Sequence, residues 1–184
     1  MDLDAVIREC LEGSQSAWET LVNTFAKRIF NMAYQFSGSR QEAEDKTQEV
    51  FLKLYGALPR YDSGKNFTAW LLTLAKNHLI DEYRRTKWEK TQRDDFDERV
   101  LAQTAGDGPE QSLVEKEAKT LVWEGLNRLS ADMRMVIILR DLQGKSYEEV
   151  AEILDLPLGT VKSRVNRARL QLALVLREYR GGTS

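Results

Sequence analysis

The chain has 184 residues, 42% hydrophobic and 30% charged, which suits a globular protein of one large or two small domains. A single cysteine, Cys10, and a single histidine, His78, exclude an internal disulfide and leave too few ligands for a Cys/His zinc site. The formal net charge of −2 is unevenly spread: residues 1–88 are neutral, 89–118 carry −5 and 119–184 carry +3.

The first residues are acidic and lack the apolar core of a secretory signal. No apolar stretch reaches the 18 residues of a membrane span. A cytoplasmic protein is expected, with Cys10 acting as a small apolar residue. The three prolines, at positions 59, 109 and 157, leave room for long helices between them.

Trp18, Leu21, Val22, Phe25 and Ile29 recur at helical spacing and predict one apolar stripe. Ser39 and Glu42 match a capping box, so a helix is expected from there to about Leu58. Pro59 and the run Asp62-Ser63-Gly64 mark a loop. Phe67, Trp70, Leu71, Leu74 and Leu79 form a third stripe, ending near Tyr83 in a basic cluster. Residues 94–112 are polar, acidic and lack periodicity, which reads as a linker. Some 20 extended residues reach up to ~66 Å, nearly two turns of duplex at ~34–36 Å each.

Helical pattern returns with Leu121, Val122, Gly125 and Leu126. Ser130 can cap the next helix, which holds Val136, Ile137 and Leu139. Ser146 and Glu149 form a second capping box, opening a helix with Tyr147, Val150, Ala151 and Leu154 on one face. After a turn with Pro157 and Gly159, a last helix is expected from about Thr160. The fold class expected is all-α: two small helical domains, 1–90 and 115–180, joined by a flexible acidic linker, 91–114.

Residues 146–172 carry the sharpest signal. Val161, Val165, Ala168 and Leu172 would share the inner face of the last helix. Its outer surface carries Thr160, Lys162, Ser163, Arg164, Asn166, Arg167 and Arg169, with four basic residues and no acidic one. A helix with an apolar back and a basic, hydrogen-bonding front suits the major groove. There Arg can grip guanine and Asn adenine through two bonds each, while basic residues at the rim meet phosphates. A solvated basic face on a structural helix would show the same charge. The capped helix and turn before it favour the helix-turn-helix.

The stretch from Ser146 to Arg169, with its GTVKSR and RAR motifs, closely resembles the promoter-binding sigma-4 domain of extracytoplasmic-function sigma factors. EAEDKTQEVFLKL, at 42–54, resembles the same family's polymerase-binding helix in sigma-2. FTAWLLTLAKN and IDEYRR, at 67–77 and 80–85, resemble its segment for reading and melting the −10 element. The resemblance covers roughly residues 3–88 and 115–178.

The resemblance implies a specificity subunit of RNA polymerase, not an enzyme and without a cofactor or metal. It implies polymerase core and promoter DNA as partners. It also implies control in trans by an anti-sigma factor, which could hold the protein at the inner membrane face. Lys162, Ser163, Arg164, Arg167 and Arg169 match −35-contacting positions, and Asn166 stands where members differ. Glu44, Asp45, Gln48, Glu49 and Leu52 would meet the polymerase. Asp45, Gln48, Glu49 and Leu52 are helical neighbours that offer carboxylates to basic partners, although an acidic solvent face would look alike. The −10 strand would fall to Arg60, Tyr61, Lys65, Asn66, Lys76, Asn77, Tyr83, Arg84 and Arg85, since single strands are held by aromatic platforms and basic grooves. Phe67 and Trp70 read as core by their spacing, and His78 as partly buried.

Asp155 departs from the family, where Gly is common, and costs the turn something. Two rivals remain. A dimeric helix-turn-helix regulator leaves 39–88 without a role. A nucleic-acid enzyme needs clustered carboxylates on a scaffold, whereas Asp94, Asp95 and Asp97 lie in the linker.

Overall fold

The computed structural model describes residues 1–92 and 113–181. The secondary structure among them is entirely helical. The linker expected at 91–114 falls almost wholly outside the described residues.

The N-terminal half comprises α1 (Leu3–Leu11), α2 (Gln15–Ser37), α3 (Arg40–Ala57), a 3₁₀ turn (Leu58–Arg60) and α4 (Phe67–Gln92). Ser14 caps α2 by accepting from the Ala17 N–H. At α3 only half of the expected box forms. Ser39 Oγ accepts from Glu42 N–H, but the Ser39 N–H donates to Ser37 Oγ instead of to Glu42. Leu21, Phe25 and Ile29 are buried as their spacing predicts, whereas Trp18 and Val22 flank the stripe half-buried. Cys10 is buried, and burial raises its thiol pKa.

Helix α4 runs nine residues past the expected end at Tyr83. Its last turns have no apolar stripe, which is why periodicity did not reveal them. Spaced ion pairs serve instead: Arg85 meets Glu82 at 2.8 Å and Glu89 at 3.0 Å, at i,i+3 and i,i+4 separations.

The C-terminal half comprises α5 (Leu113–Asn127), α6 (Ala131–Ile137), a π turn (Ile138–Leu142), α7 (Tyr147–Leu154) and α8 (Leu158–Gly181). Ser130 caps α6. The capping box at α7 is complete, with Ser146 N–H donating to Glu149 at 2.8 Å and Glu149 N–H to Ser146 at 3.1 Å. Helix α8 starts two residues before Thr160, because the Pro157 carbonyl already accepts the Val161 N–H at 3.1 Å.

Asp155 has φ 52 and ψ 53, and is the one non-glycine residue with positive φ among those described. That conformation costs an L-residue roughly 1–2 kcal/mol, partly relieved for Asp. Asp155→Gly is therefore expected to stabilise the protein by about 1 kcal/mol and raise Tm by about 2–4 °C, which calorimetry would read.

The main core spans both halves, beside a smaller cluster of Leu126, Leu129, Ile137 and Ala168 within the second. Leu21, Phe25, Leu54, Leu71 and Leu72 from the first are continuous with Met135, Leu139, Val150, Ile153 and Val161 from the second. Helix α7 packs on α4, where Thr73 Oγ1 donates to the Ile153 carbonyl at 2.9 Å. Thus α4 serves both halves.

Candidate nucleic-acid interface

Val161, Val165 and Ala168 are fully buried and fix the orientation of α8. Its opposite face presents Lys162, Ser163, Asn166, Arg167 and Arg169 to solvent, while Thr160 and Arg164 are half-buried. Ser163 Oγ donates back to the Thr160 carbonyl at 3.1 Å, which orients both at the helix start. Lys162 Nζ lies 5.9 Å from the ring centroid of Tyr147, the first residue of α7.

Arg169 differs from its neighbours. Its Nε donates to Asp141 at 2.9 Å and its Nη2 donates to the other carboxylate oxygen. This two-pronged pair ties α8 to the π turn. Arg169's hydrogen bond to Asp141 lowers the Asp141 carboxyl pKa and raises that of the guanidinium. Sequence reading placed Arg169 with the outward cations and missed Asp141, which lies 28 positions away. Neither Arg164 nor Arg167 has an ion-pair partner among the described residues.

The residues assigned to the −10 strand lie in two places. One is the 59–66 loop, with Arg60, Lys65 and Asn66 exposed and Tyr61 half-buried. The Tyr61 ring sits 5.1 Å from Phe67 and 5.0 Å from Trp70, and its hydroxyl donates to the Lys65 carbonyl. Asp62 accepts from the Gly64 N–H, and Asn66 Oδ1 accepts from the Ala69 N–H at 3.1 Å, starting α4. The loop is therefore held from within. Phe67 is buried against Phe25, as its spacing predicts, while Trp70 is half-buried.

The other place is the α4 surface. Asn77 is exposed, and Lys76 is half-buried with a pKa lowered by burial. Tyr83 and Arg84 face the C-terminal half. Arg84 Nη2 reaches Asp132 at 2.7 Å, and the Tyr83 ring stands edge-on to Phe36.

On α3, Glu44, Asp45 and Gln48 are exposed and Leu52 is 75% exposed. Glu44 pairs with Arg40 at 2.9 Å. Glu49 pairs with Lys46 (2.9 Å) and with Nε2 of His78 (2.5 Å) while its side chain stays 42% exposed. His78 is 5% exposed, and its Nδ1 has no partner among the described residues. The Lys46 ammonium also reaches Glu82 at 3.4 Å, joining α3 to α4. Lys46 was not expected to matter; its only sequence signal is a lone cation among the carboxylates of 42–49.

Hydrogen bonding to Arg85 first, then to Lys46, holds the Glu82 carboxyl at about 2 against 4.5 ordinarily, despite opposing burial. A depressed carboxyl stabilises the fold above pH 4.5 and loses that contribution as pH falls towards 2. Wild type should therefore lose more Tm than Glu82→Gln across that window in paired melting curves.

Residues 21–89 match the family described as Sigma-70 region 2, and residues 119–172 match Sigma-70, region 4. The chain is 31% identical over 183 residues to the ECF RNA polymerase sigma factor SigW of Bacillus subtilis, covering 94% of this chain and 95% of that one. It is 32% identical over 175 residues to the ECF RNA polymerase sigma factor SigE of Mycolicibacterium smegmatis, covering 94% of this chain but 66% of that relative. The fold matches the sigma factor RpoE solved with the anti-sigma factor NepR from Bartonella quintana. That match has a TM-score of 0.65 and 29% identity, over 86% of this chain and 96% of that one.

Proposed function

This chain belongs to the extracytoplasmic-function sigma factors of the sigma-70 family, and on that premise we propose that it directs RNA polymerase core to a set of promoters and starts transcription there. The observation that supports this most is α8, a helix locked by its apolar back with a cationic front on which Arg164 and Arg167 have no ion-pair partner among the described residues, in a chain that also carries region 2. We assign 1–90 to core binding and the −10 element, and 115–180 to the −35 element.

In this reading Lys162, Ser163, Asn166 and Arg167 enter the major groove. Arg164 and Thr160 support them at the rim, and Arg169, clasped by Asp141, sets the pitch of the helix. Glu44, Asp45, Gln48 and Leu52 offer the polymerase an exposed acidic and apolar face. Glu49, tied to Lys46 and His78, stands on that face. The −10 strand is taken by Arg60, Tyr61, Lys65 and Asn66 in the loop, with Lys76, Asn77, Tyr83, Arg84 and Arg85 on α4.

The work is binding and duplex opening; the chemistry of RNA synthesis belongs to the core. No helix among the described residues is long and apolar enough to cross a membrane. We place the protein in the cytoplasm, under control of a separate anti-sigma factor. RpoE solved with NepR supports that kind of partner.

Runoff transcription with purified core and host promoter fragments tests the proposal. Discrete transcripts requiring both core and this chain are expected. No transcripts, with tight binding of the chain alone to a palindromic fragment, would point instead to a dimeric regulator.

A further inference from the structure

His78 is the one histidine of the chain, and it lies 5% exposed near the middle of α4. Its Nε2 meets Glu49 Oε2 on α3 at 2.5 Å. A carboxylate only accepts, so Nε2 carries the proton in that bond. The other ring nitrogen, Nδ1, is buried and has no hydrogen-bond partner among the described residues. A buried polar atom left unpaired costs stability, and an aliphatic side chain of similar bulk would not carry that cost. Packing alone therefore does not account for a histidine at this position.

Glu49 has a second donor. Lys46 Nζ meets the same Oε2 at 2.9 Å and also reaches Glu82 at 3.4 Å. His78 and Glu82 stand four residues apart on α4, and Lys46 and Glu49 three apart on α3, so each pair shares a helix face. The ammonium is shared between two carboxylates at the end of a flexible stem. The imidazole is rigid and fixed by burial, so it is the firmer of the two anchors. Both bonds end on Oε2, and Oε1 accepts from no side chain among the described residues. The Glu49 side chain stays 42% exposed, and Asp45, Gln48 and Leu52 beside it on α3 are exposed.

We infer that His78 is a positioning residue for polymerase binding: by gripping Oε2 it fixes the Glu49 carboxylate so that Oε1 is presented to a cationic side chain of the core. A carboxylate already held in one rotamer gives up less freedom on association. Freezing one rotamer-rich side chain corresponds to about 2- to 12-fold in affinity, and that is the loss expected without His78. This role rests on the function proposed above for the α3 face.

The test uses the full chain and purified polymerase core. His78→Leu removes the donor and keeps an apolar side chain of similar bulk, whereas His78→Gln keeps an N–H donor. Core is titrated against fluorescently labelled chain, and melting curves are recorded alongside. His78→Leu should bind core about 2- to 12-fold more weakly, at a Tm equal to or above that of the wild type because the orphaned Nδ1 is gone. His78→Gln should recover most of the affinity. In a Glu49→Ala background, His78→Leu should weaken core binding no further. Maximal runoff yield at saturating chain should match the wild type, since the exposed Asn77 beside it is untouched.

Wild-type core affinity in His78→Leu, or a loss that persists in the Glu49→Ala background, would overturn the role. A fall in Tm that tracks the loss of affinity through both His78 variants would make the residue purely structural. A fall in maximal runoff yield would place it in promoter opening instead. A wild-type chain that binds no core would overturn the proposed function itself, whereas core binding indifferent to His78 overturns the positioning role alone.

Discussion

Replacing Arg167 with alanine is expected to weaken promoter binding by the polymerase holoenzyme by about 1–3 kcal/mol, roughly 5- to 150-fold, while leaving folding almost unchanged. Arg167 is exposed on the outer face of α8 and has no ion-pair partner among the described residues. Its charge is therefore available to DNA without breaking anything first. Two mechanisms predict different signatures. If it meets phosphate, the slope of log K against log salt should become shallower by about 0.9, equally for all promoters. If it grips a guanine, the slope should hold and base choice at one −35 position should relax. Neither change would remove Arg167 from the interface.

Arg169→Ala is the matched control. Its guanidinium is already committed to Asp141. Its loss should lower Tm slightly, as half-exposed pairs contribute about 0.2–1 kcal/mol, and should shift promoter affinity less than Arg167→Ala does. A larger promoter effect from Arg169 than from Arg167 would reverse the roles assigned to them.

The difference between these two arginines shows how far the sequence could be read. The helix-turn-helix was legible because everything that specifies it is local. The Ser146 box, the Pro157 turn and the spacing of Val161, Val165 and Ala168 lie within 23 residues. Arg167 and Arg169 look alike at that range, and the carboxylate that separates them sits on another element. Arg134, buried where the two halves meet, was illegible for the same reason. Its partners Phe36 and Tyr83 lie 98 and 51 positions away, and periodicity carries no information at that distance. A faint signal existed, a lone cation inside the apolar run from Met133 to Leu139. The end of α4 escaped notice because its support is ionic and solvent-facing, not an apolar stripe. Glu49 shows the same limit. It was grouped with outward carboxylates by spacing, and its side chain stays 42% exposed, but the pairs it makes with Lys46 and His78 could not be read from the sequence.

Phe67→Ala is expected to cost about 3–5 kcal/mol of stability, the range for deleting a buried aromatic ring. Phe67 is 3% exposed and touches three other rings: Phe25 at 5.5 Å, Tyr61 at 5.1 Å and Trp70 at 5.8 Å. It is the first residue of α4 and directly follows the strand-capture loop. Its removal therefore leaves a cavity beneath Tyr61, the residue that holds the loop closed through the Lys65 carbonyl. Marginal stability makes such a loss a large fraction of the whole, and denaturant unfolding would measure it directly. Phe67→Leu keeps most of the volume and should recover most of the stability. The pair separates core from platform. If Phe67 stacked on a promoter base, leucine would rescue folding but not open-complex formation, because an aliphatic side chain gives up the stacking energy of about 1–3 kcal/mol per base. If Phe67 is core, leucine restores both together. Recovery of stability without recovery of promoter opening would move Phe67 from the interior of the N-terminal half to its DNA-binding surface.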